Sequence, residues 1–311
     1  MIKRTLCFSN PSMLSLQNGQ LIVKILGDNP RSTSIPIEDI GIVVLDHQQI
    51  SITHGAIAAL VANNAAVVTC DNRHLPTGLI MPLDGNTLQS ERFSNQIEAS
   101  LPLKKQLWQQ TVSQKILNQA AVLKQIRGTE VRCMQVWASN VKSGDSDNLE
   151  GRAAAYYWSN MVSDKWVRDR EGVWPNALFN YGYAILRAIV ARALVGSGML
   201  PTLGIHHKNK YNAYCLADDI MEPYRPYVDR KVMQMLTIWP NEEEISPEMK
   251  RHLLQIPVLD VDIDGKRSPL MVAVSTTTAS LYRCFSGEQR KIQYPIVKPE
   301  WTGLANTESC G

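Results

Sequence analysis

Two histidines and three carboxylates fall close together in the segment from Gly204 to Asp229. His206 and His207 sit in a loop with Lys208 and Lys210, and Asp218, Asp219 and Glu222 follow within a few residues. These are ligand types for a divalent cation. If the segment is helical, Asp219 and Glu222 share a face, with Arg225 one step further along it. Pro223 and Pro226 are tolerated only in a first turn, so a helix start near Asp218 with a kinked opening is expected. The carboxylates would then lie at the positive end of the helix dipole, which favours their ionised form. Each residue alone has an ordinary structural role. Asp218 can be an N-cap, Glu222 and Arg225 a weak surface pair, and either histidine a loop residue satisfied by backbone. Together with Lys208, Lys210, Arg225, Arg230 and Lys231, they describe a metal site inside a phosphate-binding surface, which is the chemistry of metal-assisted phosphodiester cleavage or transfer.

Other elements must carry these groups. Near the N-terminus, Leu14, Leu16, Leu21, Val23 and Ile25 alternate about Asn18-Gly19, a pair suited to a type I′ hairpin turn. Short apolar runs at Gly41–Leu45 and Ala66–Cys70 read as core strands, and His54–Asn63, opened by Thr53, as a short helix. A small β-sandwich with one helix is the expected result. Turn formers from Asp71 to about Gln89 mark a linker. Beyond it the period becomes helical. Leu107, Val112, Ile116, Leu117, Ala120 and Leu123 form one stripe, with Gly128 as its stop. The polar loop Gly144–Glu150 precedes a helix over Gly151–Val162, so Glu150 lies within a turn of a helix start, where the dipole alone would favour it. Asn176–Val195 is the most apolar helix and is expected at the centre of the second domain. Helices are also expected over Tyr227–Leu236, Glu248–Gln255 and Pro269–Phe285. Val258–Asp264 fits a strand with its acidic face in water, and a loosely held tail is expected from about Pro295. The chain is therefore expected to be α+β: a β-sandwich-like domain with linker over 1–88, then a mainly α-helical catalytic domain over 89–311.

Composition narrows the class. At 311 residues, with 44% hydrophobic and 20% charged side chains, the chain reads as globular. No run reaches the length of a membrane span, and the Met1–Leu6 start lacks the pattern of a secretory signal. Six scattered cysteines without Cys-x-x-Cys spacing point to reduced thiols and a cytoplasmic location. The formal charge of +3 is small, so any DNA affinity must come from local clusters, near the central loop and at Lys165–Arg170. Phosphate-loop, dinucleotide-binding, zinc-protease and serine-hydrolase motifs are absent. Three classes remain: a DNA integrase, which only the family resemblance given below implies, a structure-dependent metal endonuclease, and a non-catalytic DNA-binding scaffold. The residues alone do not separate the first two, which differ in whether a 3′ hydroxyl or a water attacks.

The chain also resembles a known family, the CRISPR-associated integrases. These are the larger of the two core proteins that insert new spacers into CRISPR arrays, and the likeness is greatest to type II systems. The resemblance rests on the Gly-x-x-His step from Gly204 to His207, the run from Asp219 to Pro226, and Glu150-Gly-Arg upstream. It extends to Leu75-Pro-Thr, Gln114–Gln119 and Asn180–Tyr183. It implies that Glu150, His207 and Glu222 bind the catalytic metal. His206 is an extra histidine beside the motif, and Asp219 and Arg225 are supporting residues. Two carboxylates and an imidazole suit Mg²⁺ or Mn²⁺. The implied reaction joins the 3′ ends of a short duplex, the spacer precursor, to the ends of a CRISPR repeat. The implied assembly is a homodimer, two such dimers holding a dimer of the small CRISPR-associated protein two in a heterohexamer; the β-rich first domain, with no chemistry of its own and sheet edges to protect, is the expected dimer-forming part. Lys208, Lys210, Arg225 and Arg230 are the expected DNA contacts.

Overall fold

The structure is a computed structural model and describes residues 3–27, 30–72, 74–162, 166, 168–169 and 174–298. Its first part contains strands β1 (Arg4–Phe8), β2 (Ser12–Gln17), β3 (Gln20–Ile25), β4 (Arg31–Pro36), β5 (Ile40–Leu45) and β6 (Ile50–Ile52), helix α1 (His54–Ala62), and strands β7 (Ala66–Cys70) and β8 (Pro76–Ile80). The expected hairpin joins β2 and β3, with Leu14 opposite Val23 and Leu16 opposite Leu21. Its turn places Asn18 and Gly19 at φ 49° and 71°, the left-handed pair that a type I′ turn requires. This hairpin lies in a sheet of order β4-β3-β2-β6, and a second sheet has the order β1-β5-β7-β8.

In the second sheet β1, β5 and β7 run parallel, and α1 lies in the crossover between β5 and β7. Val43 and Val67 face a cluster shared with Leu14, Leu21 and Val23 of the first sheet and with Ala56 and Leu60 of α1. Their neighbours Ile42, Val44, Ala66 and Val68 join the core of the helical part instead. The two strands are thus buried on both faces, which is why their sequences are unbroken apolar runs. The stretch read as a linker contributes β8, an edge strand against β7. Pro76 is tolerated there because it opens the strand at a sheet edge.

The helical part contains α2 (Gln89–Glu98), α3 (Leu101–Arg127), α4 (Arg132–Ser139), α5 (Leu149–Met161), α6 (Asn176–Gly196), α7 (Cys215–Met221), α8 (Arg225–Ile238) and α9 (Pro247–Leu253), then strands β9 (Asp260–Ile263) and β10 (Lys266–Pro269) and helix α10 (Leu270–Phe285). The Ser100 hydroxyl caps α3 at its start, and Gly128 at φ 66° closes it. Leu107, Val112, Ile116, Ala120 and Leu123 are buried as the stripe predicts, but Leu117 points outward. It lies only one residue from Ile116, about 100° around the helix. Helix α6 packs against β7, β8, α7, α8 and α10, and this central position accounts for its apolar composition.

Several expectations need correction. The helix around Asp219 begins at Cys215, not Asp218, and stops at Met221; a 3₁₀ turn over Glu222–Tyr224 links it to α8. Pro223 and Pro226 each fall in the first turn of the segment that follows a break, where the missing N–H costs nothing. The acidic face of β9 is only partly in water: Asp264 is exposed and Asp260 partly so, but Asp262 is buried and paired with Lys298. Ser275–Thr278, poor helix formers, lie inside α10, where tertiary contacts outweigh propensity. The Thr277 hydroxyl meets that of Tyr224 at 2.6 Å, and Thr278 donates to the Ala193 carbonyl. Residues 295–298 are anchored, since the Asn118 side chain binds the Pro295 carbonyl and the Val297 N–H. The tail beyond 298, Cys310, and Lys165, Val167 and Arg170 of the second basic cluster lie outside the described residues. Cys7, Cys70, Cys133, Cys215 and Cys284 are free thiols.

Helices α5, α6 and α8 meet around Asp229, which is fully enclosed and accepts hydrogen bonds from the Tyr157 and Tyr183 hydroxyls. Burial pushes its carboxyl up to about 7, against the opposing pull of those two hydroxyls. An unfolded aspartate titrates near about 3.9, so between about pH 4 and 7 the folded state holds a proton that the unfolded chain has lost. This contribution to stability therefore falls as pH rises through that window. Asp229→Asn cannot ionise, and urea unfolding should show its stability rising relative to wild type by about 1–3 kcal/mol from pH 4 to 7. A difference independent of pH would mean that Asp229 stays ionised throughout.

Candidate active site

Glu150 is the second residue of α5. The Asn148 side chain, on a residue with φ 50°, caps the Gly151 N–H, and the Asp145 carboxylate accepts the N–H groups of Leu149 and Glu150. This capped start directs the Glu150 carboxylate onto Lys115 of α3, with Nζ 2.7 Å from Oε1. The same ammonium lies 2.6 Å from Oε2 of Glu222, and Arg225 approaches the other Glu222 oxygen at 3.1 Å. Glu150 and Glu222, 72 residues apart, thus share one cation. Burial disfavours the charged form of Lys115, but the carboxylates of Glu222 and Glu150 outweigh it and hold its pKa above that of an ordinary lysine. Glu222 shows the converse. Burial pushes its carboxyl up, and Arg225 and Lys115 more than compensate, so it stays ionised below the usual range.

His207 is held by Asp219. This buried carboxylate accepts the backbone N–H groups of Ile205, His206 and His207, and Nδ1 of His207 lies 2.5 Å from it. The loop approaches so closely that a Cβ on Gly204 would lie 2.7 Å from Asp219 Oδ2 and 2.4 Å from the His207 carbonyl oxygen, so only glycine fits. With Nδ1 engaged, Nε2 is the ring nitrogen left to act. His206 has a different role: its ring stacks on Trp108 at 4.2 Å, nearly parallel, while His207 meets the same indole edge-on. The hydrogen bond to Asp219 raises the His207 pKa against the effect of burial, and the charges of Glu222 and Glu150 add to the rise. Asp218 is not an N-cap. It pairs with Arg187 at 2.7 Å and accepts from Asn212, which fixes the loop's return to α7.

Trp108 and Lys115 are the residues that sequence reasoning missed. They stand seven apart on α3, so they share a face, and Asn118 continues it by bonding the Pro223 carbonyl beside Glu222. No local signal marks Lys115 or Asn118, because their burial is decided by the fold. Among the described residues no three His, Cys, Asp or Glu side chains form a ready cation cage, and Lys115 stands between the two glutamates. The donors nonetheless fit a hard divalent ion: two carboxylates, one of them with a buried Oε2 that has the ammonium nearby but no hydrogen bond of good angle, and an imidazole oriented through its other nitrogen.

The nominated DNA contacts divide by exposure. Lys208 and Lys210 are exposed, and Lys210 lies over the ring of the equally exposed Tyr211. Arg225 binds Glu222 and stacks on Tyr183, so it acts chiefly as support for the carboxylate. Arg230 is half-buried over Tyr227. A cleft of about 850 Å³ opens between β8 and helices α6 and α8, lined in part by Thr77, Arg168, Asn180, Tyr183, Arg187 and Arg225.

Asp219→Asn keeps the shape of the loop anchor and removes its charge. The variant's His207 should titrate lower than in wild type by NMR of the ring, and loss of three charge-assisted N–H contacts should cost at least about 2 kcal/mol. An unchanged His207 titration would separate Asp219 from its orienting role.

A family profile described as "CRISPR associated protein Cas1" matches residues 6–249. The CRISPR-associated endonuclease Cas1 of Neisseria meningitidis is 35% identical over 298 residues, covering 95% of this chain and 97% of the relative. Among solved structures, a casposase bound to integration product superimposes with a TM-score of 0.79 at 19% identity, over 97% of this chain and 94% of that one. A Cas6-RT-Cas1–Cas2 complex does so at 0.72 and 20% identity, over 93% of this chain and 35% of that one. These structures share a mixed α+β fold with sheets at the N-terminal end and helices after them. The identity to the Neisseria relative and the extent of the profile match lead to one conclusion: the chain belongs to the Cas1 family of CRISPR-associated proteins.

Proposed function

We propose that this protein is the metal-dependent DNA integrase of CRISPR adaptation, which inserts short duplexes at repeat ends by 3′-hydroxyl transesterification. What supports this reading is that Glu150 and Glu222, 72 residues apart, reach one cationic position, while Asp219 holds His207 through its Nδ1 side. Two of the structural relatives, a casposase bound to integration product and a Cas1 in complex with Cas2, support it by their fold. A bound Mg²⁺ or Mn²⁺ would neutralise charge on the scissile phosphate and activate the attacking hydroxyl. Glu150, His207 and Glu222 would hold it. Asp219 would fix the His207 ring, and Arg225 and Asn118 would fix the turn that carries Glu222. None of these side chains would form a covalent bond to DNA. Lys208, Lys210 and the arginine-lined cleft offer cations for the phosphate backbone, with Arg230 as a further contact.

The proposed assembly is a homodimer through residues 1–88, whose sheets present free edges, with residues 89–311 carrying the chemistry. Two dimers would hold a dimer of the small CRISPR-associated protein two, in the cytoplasm. A second reading, hydrolysis by water, is favoured by the endonuclease name of the Neisseria relative.

The two readings separate in one assay. With its small partner, Mg²⁺ or Mn²⁺, a short duplex and a plasmid carrying a repeat, the protein should join duplex 3′ ends to the plasmid, and a blocked 3′ end should give no product. Alanine at Glu150, His207 or Glu222 should lower joining by at least about 100-fold, while sedimentation still reads a dimer and DNA binding persists. Nicking that is indifferent to the 3′ end would establish the endonuclease instead.

Replacing Lys208 and Lys210 together by alanine should weaken binding to all sequences alike. The slope of log affinity against log salt should fall by about 1–2 if both neutralise phosphates. An unchanged slope would remove them from the interface.

A further inference from the structure

We propose that Lys115 is a resident cation: its ammonium holds Glu150 and Glu222 together until a divalent ion binds, and it must leave the space between them when one does. This inference rests on the metal-dependent reading above and adds a residue that the reading does not require.

The geometry leaves little room for both cations. Nζ lies 2.7 Å from Glu150 Oε1 and 2.6 Å from Glu222 Oε2, so it fills the position from which both carboxylates are reached at once. Oxygen ligands approach Mg²⁺ or Mn²⁺ at about 2.0–2.4 Å. An ion bridging the same two oxygens would therefore overlap the ammonium. Without any cation, two carboxylates so close would repel, and Glu222, only 4% exposed at its side chain, has almost no water to screen it. Arg225 reaches only the far oxygen of Glu222 and does not touch Glu150, so it cannot take over the bridge. The Lys115 side chain is itself 10% exposed, and it stands on the middle of a 27-residue helix fixed at both ends by caps. Its backbone is rigid, so release from the carboxylates must come from rotation of its four-carbon stem. That stem makes Lys115 suited to the role: an ammonium is a compact, strongly hydrated point charge that can give up two contacts by rotamer change, whereas a guanidinium would lock both carboxylates in a planar fork.

Two consequences follow for this chain. The glutamates are drawn together before the divalent ion arrives, which lowers the cost of assembling its ligands. In return, the ion must displace a positive charge, which weakens its apparent affinity. Lys115 is therefore a positioning residue, and its removal should strengthen metal binding.

The test is direct titration of the full-length protein with Mn²⁺ in the absence of DNA, followed by electron paramagnetic resonance of free Mn²⁺ and by thermal unfolding. Lys115→Met should bind Mn²⁺ at least about tenfold more tightly than wild type, because a like charge has been removed from the immediate neighbourhood of the ion. Before Mn²⁺ is added it should melt below wild type, and saturating Mn²⁺ should raise its melting temperature by more. Lys115→Gln, which retains N–H donors without the charge, gives the same readout if the methionine variant does not fold. Equal or weaker Mn²⁺ affinity in these variants would overturn the proposal and leave Lys115 as a structural prop. If wild type and variants alike bind no Mn²⁺, and Glu222→Ala is indistinguishable from them, the metal reading fails and this inference with it. A protein that fails in the joining assay yet shows the tighter binding of Lys115→Met would lose the integrase reading alone.

Discussion

One ammonium between two carboxylates ties the functional part of this protein together. Lys115 reaches Glu150 and Glu222 at once, and through them α3, the start of α5 and the 3₁₀ turn after α7 are fixed to one point. A buried charge without a partner is costly, and removing one member of such a pair typically destabilises by about 3–5 kcal/mol. The site is therefore constrained as well as composed: unless another cation takes its place, Lys115 leaves two close carboxylates unpaired when it moves. Arg225 on Glu222 and Asn118 on the Pro223 carbonyl reinforce the turn from both sides.

The histidine loop follows the same principle with fewer parts. One carboxylate, Asp219, collects three backbone N–H groups and the Nδ1 side of His207, which would otherwise be unsatisfied or free to rotate. Trp108 supplies a flat surface for His206 and an edge contact for His207, so the two adjacent histidines have different roles. One is packed against an indole, and the other is held through Nδ1 by a buried carboxylate. Gly204 permits this because nothing larger fits between the loop carbonyl and Asp219.

The sheets and the helices are coupled by the double-sided burial of β5 and β7. Alternate residues of these strands face the small cluster shared with the first sheet and the large core centred on α6. The arginine-lined cleft opens where β8 passes α6 and α8, and its Arg225 is also the partner of Glu222. Tyr183 stands in the same cleft and binds Asp229 behind it, so the cleft wall is continuous with the buried tyrosine and aspartate network of α5, α6 and α8.

Elements governed by local chemistry could be read from the sequence. The Asn18-Gly19 hairpin, α1 behind Thr53, the Gly128 stop and the apolar α6 follow from turn, cap and periodicity rules acting over a few residues. The types of Glu150, His207 and Glu222, and the crowding of charge near His206, Lys208, Asp219 and Arg225, were equally visible, although only the family resemblance tied Glu150 to the others. What tertiary structure decided was which groups meet. Nothing local distinguishes Lys115 from a surface lysine, or His207 from His206, because the deciding partners are 35 and 107 residues from Lys115 and 12 from His207. The same is true of β8, which looks like a linker until β7 offers it an edge, and of the threonines in α10, whose hydroxyls find partners only across the core. Local propensities act between neighbours in the chain, whereas a buried charge is stable only where folding delivers its counter-charge, so the site's final assignments belong to the tertiary structure.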